Sequence, residues 1–328
     1  MFLHETEQKT ASPVFTTTQQ EQQTTFVTAP VEDPALSDII KRFDPAVVRR
    51  IYETQQTKPN CGCIAGAMAV YSLLDNGEYL KERDGGIAEE IDKEIAEAIY
   101  SYADEIQISG MGDYVSSVGE MFDAQRLADT LTKYGNNLQS MGKKNQKHVD
   151  KKILAAVYSF DSIDKLKQAL EQSGKNGIHI LLPYFSGKDC YPSVPTNDDH
   201  NLGDDGHAVA REMCHAHWSI VGDYKKETDK ISLYEGNMLL RGRNIPINDV
   251  FASNQSLGDT FEWNKGYLDN LEENDFSTRL SLAARWAEMF GDDIISVGDD
   301  GTDNTINEHV NLRGKIVLVG FAKKEAEA

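Results

Sequence analysis

Two cysteines open the apolar stretch QQTKPNCGCIAGAMAVYSLL, residues 55–74, and a histidine opens a second one, HWSIVGDY, from His217. A cysteine and a histidine together are the materials of thiol catalysis. A thiol becomes a nucleophile when something lowers its pKa, and the positive end of a helix or a neighbouring imidazolium does so. Pro59 and Asn60 read as a stop and an N-cap, which puts Cys61 at a helix start. There its own backbone N–H can donate to an oxyanion, and Gln55 or Gln56, just upstream, can supply a second donor. Cys63 lies about 200° further around the helix, so both thiols cannot face one histidine. Cys63 is read as core.

The base needs a third group to hold its other ring nitrogen and fix the tautomer. His217 heads a strand, and the following strand ends ISLYEGN. A hairpin between them brings Glu235 or Asn237 beside His217, with Asp223 a further candidate. Trp218 is expected in the core on the opposite face. His207 and His215 are alternative bases, read here as solvated.

A metal is the rival chemistry. Cys61, Cys63, Cys214, His215 and His217 carry ligand atoms for zinc, with Cys190 and His207 nearby in sequence. Zinc pairs are usually spaced more widely than CGC and CHAH. The expectation is therefore no metal and no cofactor. The acidic loops PTNDDHNLGDDGH and VGDDGTDN lack the residue order of a calcium loop, and no phosphate-binding glycine motif occurs. The first of these loops runs into the histidine strand and can act as a lid.

The elements that must position these groups follow from periodicity. DPALSDIIKRFDPAVVRRIYETQ predicts two short helices, Leu36 to Phe43 and Val47 to Ile51, broken at Pro45. Cys61 to Leu74 is apolar on nearly every face and predicts a buried central helix. Ile87, Ile91, Ile95 and Ile99 mark an amphipathic helix, and residues 113–135 one or two more. Residues 137–150 read as a polar loop. An N-capped helix, a glycine stop and a buried strand at Ile178 to Tyr184 come next. A hairpin follows, His215 to Tyr224 and Lys230 to Tyr234. Helical patterns return at Ile247 to Ser253 and Ser277 to Phe290, and LRGKIVLVGF is a last strand. Helices dominate the first half and an antiparallel sheet the second, an α+β segregation.

The 328 residues suffice for a sizeable core, and the net charge of −20 disfavours nucleic acid and anionic membrane surfaces. No run approaches the roughly 20 apolar residues of a membrane span, and the N-terminus lacks the pattern of a secretory signal. Four cysteines are too few for a disulfide scaffold, which points to reducing conditions. Residues 1–32, rich in Thr, Gln, Glu and Pro, are expected to be a disordered tail. Residues 33–328 are then one domain carrying a helical insertion at about 85–150.

The ordered set of glutamine, helix-opening cysteine, strand-opening histidine and acid on the next strand resembles the papain-like cysteine peptidases. NCGCIAGAMAVYSLL, LKQALEQSGKNGIHILL, HWSIVGDY and ISLYEGN are similar in order to the boxes of the bacteriocin-processing peptidases of that fold. The resemblance covers about a third of the chain. It implies a central nucleophile helix packed on an antiparallel sheet, with Cys61 as nucleophile, His217 as base, Glu235 as orienting acid and Gln55 or Gln56 at the oxyanion. Glu235 and Gly236 stand where that family usually has Asp-Pro, so Asn237 or Asp223 stays open as the third residue. The implied activity is hydrolysis of a peptide or isopeptide bond in a protein or peptide substrate. Deamidation or transglutamination is possible on the same fold. Two other classes stay open: a zinc-bearing binding module and a catalytically inert recognition domain. The chain is expected in the cytoplasm, or exported without a classical signal as bacterial effectors of this fold are.

Overall fold

A computed structural model describes residues 33–46, 51, 61–75, 99, 103, 123–135, 151–187, 190–195, 216–235, 240, 243–258, 260–264, 295–297 and 305–324. All of them belong to one unit, residues 32–328. The expected tail, Gln55, Gln56, Asn60, the loop at 137–150, His207, Cys214, His215, Asn237 and the expected helix at Ser277 to Phe290 lie outside the described residues.

Among the described residues the architecture is α+β, built on an open antiparallel sheet of seven strands. Strands β1 (Phe43–Asp44), β2 (Ile153–Ser159), β3 (His179–Tyr184), β4 (His217–Lys225), β5 (Lys230–Tyr234) and β6 (Ile245–Pro246) are joined by a late strand from the chain's other end, Lys315–Ala322. Between β6 and that strand come β7 (Thr260–Asn264), β8 (Ile295–Val297) and β9 (Thr305–His309), which pair in the order β7-β9-β8, making Lys315–Ala322 β10. In the main sheet β10 pairs with β1, β2 and β3, and the sheet continues through β4 and β5 to β6, every pair antiparallel.

Strands β3 and β10 are almost continuously apolar because both faces of the sheet are buried along them. In β10, Val317, Val319 and Phe321 join one core while Ile316 and Leu318 join another. Strand β3 divides likewise, Leu181 to the first and Ile180, Leu182 and Tyr184 to the second. Period-two alternation separates the two faces.

The first core belongs to α2 (Cys61–Asp75) and α3 (Ala124–Tyr134), with Ile99 and Ala103 of the expected insertion also in it. Residues 61–74 are all buried, as a helix apolar on every side requires. The buried Ser72 hydroxyl donates back to the Met68 carbonyl at 2.7 Å. Small residues let α2 lie close to α3: a Cβ on Gly66 would come within 2.8 Å of Leu131. The second core takes α1 (Pro34–Ile40), α4 (Ile163–Asn176) and α5 (Ile247–Gln255). Asp33 caps α1 and accepts from the Tyr158 hydroxyl at 2.9 Å, which fastens that helix to β2. Among the described residues no helix is long and apolar enough to cross a membrane.

Two expectations need correction, and one strand has no counterpart in the sequence reading. Phe43 is a strand residue paired with Ala322, not the end of a helix. Residues 153–159 form a strand, β2, that pairs along the length of β10. Its sequence, ILAAVYS, is rich in alanine and weak in β propensity, and its pairing partner lies far along the chain. The helices are not confined to the first half with the sheet in the second. They cover both faces of a sheet whose strands come from both halves.

Candidate functional site

Tertiary pairing brings one end of β3, the start of β4 and the end of β5 together. Tyr184 pairs with His217 across β3 and β4, and their rings meet edge to face at 5.7 Å. Ile220 pairs with Tyr234, which sets Ser219 opposite the residue after Tyr234, namely Glu235. Ser219 and His217 lie two apart on one strand and so share a face. Glu235 thus lies diagonal to His217 on that face. Further along, one extra residue in β4 shifts the register between Val221 and Tyr224. Gly222 sits at this bulge, where a Cβ would come within 2.4 Å of the Tyr234 ring.

Glu235 is wholly buried and His217 nearly so. The Glu235 carboxylate is held at both oxygens. Oε1 accepts from the Leu240 backbone N–H at 3.2 Å, and Oε2 lies 3.4 Å from His217 Nε2. That second approach lacks hydrogen-bond alignment, so buried His217 Nε2 has the carboxylate beside it but no hydrogen bond.

A third group reaches the pair. The Cys190 thiol, a His217 ring nitrogen and a Glu235 carboxylate oxygen all lie within 4.8 Å of one another. Cys190 sits in a tight loop after β3. Ser193 N–H donates to the Phe185 carbonyl at 3.0 Å and Gly187 N–H to the Tyr191 carbonyl at 2.9 Å. Ser253 and Asn254 of α5 bond the Phe185 and Pro183 carbonyls, and Tyr191 donates to Asp249 at 3.0 Å. Cys190 has φ +57°, the left-handed region that few residues other than glycine adopt. Its carbonyl accepts from Tyr184 Oη at 3.2 Å, and Ser219 Oγ lies 3.1 Å from the same phenol. Burial pushes the Tyr184 hydroxyl well above its ordinary value, the Ser219 hydrogen bond opposes this, and the nearby Glu235, Cys190 and Cys61 reinforce it.

Cys61 is the first residue of α2 and is buried, packed in the core that also holds Phe185 and Trp218. Helix α2 packs on β4, β3 and β10. Trp218 and Ile220 face it, which turns His217 and Ser219 to the other side of the strand. Ala216, just before it, packs against the core that holds α2. Cys63 is buried in the same core as Cys61. Asp223 is excluded as the third residue. It is exposed, six residues along the strand from His217, about 20 Å at the usual rise.

Tyr184, Ser219 and the placement of Cys190 were not legible from spacing. Cys190 had only its proximity in sequence, and SGKDCYP reads as an ordinary turn. The strand pairing and the loop's backbone bonds bring it to the histidine. No protein-family model matches this chain, and no curated protein matches it in sequence.

Proposed function

We propose that the protein is a thiol hydrolase of papain-like arrangement. The observation that carries this reading is the buried His217–Glu235 pair on adjacent strands, in a sheet whose other face is covered by a helix that begins at Cys61. Cys61, as a thiolate, attacks the carbonyl carbon of a peptide or isopeptide bond in a protein substrate. Its backbone N–H and Gln55 or Gln56 receive the oxyanion. The C–N bond breaks, and His217 gives its proton to the leaving amine. Water, losing a proton to His217, then attacks the thioester and releases Cys61. Glu235 holds the imidazole, with Asn237 as a further support. On a glutamine side chain the same steps release ammonia and leave glutamate.

A second reading has its own observation: Cys190, not Cys61, has its thiol within 4.8 Å of both His217 and Glu235. In that reading Cys190 is the nucleophile.

One experiment separates the readings: the pH dependence of iodoacetamide alkylation, followed by peptide mass spectrometry, in wild type and His217→Ala. Fast modification of Cys61 well below pH 8, lost in the variant, supports the first reading. The same behaviour at Cys190 moves the nucleophile there. If every cysteine reacts as an ordinary thiol does, the chain is an inert recognition domain.

A further inference from the structure

We propose that Cys190, His217 and Glu235 form a binding site for a thiophilic divalent cation, zinc by its chemistry. The site comes from three separate places in the chain; it shares His217 with the CHAH run but uses none of Cys61, Cys63, Cys214 and His215. Thiolate, imidazole and carboxylate are the three donor types zinc takes, and three protein ligands leave a fourth position for water. The geometry agrees. Two N or O ligands each about 2.1 Å from a tetrahedral zinc stand about 3.4 Å apart, and His217 Nε2 and Glu235 Oε2 stand 3.4 Å apart. The same nitrogen is buried without a hydrogen bond, in the state a metal ligand would have before loading.

The surroundings are built to hold the ligands still. Glu235 Oε1 is fixed by the Leu240 N–H. The Cys190 backbone is fixed by Tyr184, and Tyr184 by Ser219. Outer contacts of this kind are what orient metal ligands. On binding, the Cys190 thiol loses its proton to solvent and its sulfur donates to the metal. Affinity therefore rises with pH and one proton is released.

Zinc at this position would take the imidazole that the hydrolase reading uses as a base, and so would inhibit the enzyme. Only that consequence rests on the proposed function; the binding does not.

The test is titration of the full chain with Co2+ and with Zn2+, reading stoichiometry and the thiolate-to-cobalt charge-transfer absorption. The expected result is one ion per chain with the charge-transfer band present. Cys190→Ser should abolish the band, and His217→Ala and Glu235→Gln should each weaken binding at least about tenfold, since even outer partners of metal ligands are worth that much. Cys61→Ser should leave the band and the affinity unchanged. Circular dichroism checks folding, and if Cys190→Ser misfolds, Glu235→Gln carries the test. Absence of binding, or binding untouched by the Cys190 and Glu235 changes, overturns the site. The alkylation is read on chelator-treated, metal-free protein and is independent: cysteines that all react there as ordinary thiols, with a cobalt band on loading, sink the hydrolase alone, and a reactive Cys61 with no cobalt band sinks the metal site alone.

Discussion

Glu235 is the residue on which both readings of the site depend. It is fully buried, with one oxygen on a backbone N–H and the other facing an imidazole. Glu235→Ala would leave the Leu240 N–H and His217 without it, and should cost about 2–4 kcal/mol in chemical denaturation. Glu235→Gln keeps a carbonyl oxygen for Leu240 and presents an amide donor to His217 Nε2. It should unfold close to wild type, yet lose the carboxylate that either chemistry needs. If the Ala and Gln variants are equally unstable, the Leu240 contact is not what holds this side chain.

At the scale of elements, α2 and α3 come close where Gly66 meets Leu131. Leu131 is fully buried, so Leu131→Ala should destabilise by about 2–5 kcal/mol. Gly66→Ala should also destabilise wild type, because its methyl would press on Leu131 at 2.8 Å. In the Leu131→Ala background that cost should largely vanish. A double-mutant cycle with additive effects would mean the helices are not in this contact. A second junction is the end of α4. Gly177 has φ +65°, and a Cβ there would stand 1.9 Å from the Ala46 carbonyl oxygen. Gly177→Ala should therefore cost more than the roughly 1 kcal/mol of a simple left-handed alanine, measured as the denaturation midpoint.

At the scale of the whole molecule, one buried base ties stability to pH. His179 lies in β3, packed between β10 and β4, and burial pushes it down to about 4 from its ordinary 6.5. The unfolded chain therefore binds a proton at a higher pH than the folded one. Stability from neutral His179 is complete above pH 6.5 and falls as pH drops from there toward 4. The loss is about 3 kcal/mol over that window. His179→Leu should remove this slope, so that the difference between wild type and variant shrinks steadily as pH rises to 6.5. A difference that does not change with pH would mean His179 is not buried neutral.

The sequence by itself determined the parts whose signal is local. The apolar run of α2 reads as a buried central helix, and its small residues already promised close packing. The strands at β3, β4 and β10 and the glycine stop at Gly177 follow from periodicity and turn chemistry. His217 at a strand head and Glu235 at the end of the next were legible because a hairpin fixes register locally. What only the tertiary structure decided depends on long-range pairing. Strand β2 is a strand because β10, from the far end of the chain, supplies its hydrogen bonds. Phe43 is extended because the same strand pairs with it. Asp223 loses its place at the site because a strand carries it about 20 Å away along its length. Cys190 gains one because α5 and Tyr184 hold its loop against the histidine, a juxtaposition that no spacing in the chain encodes.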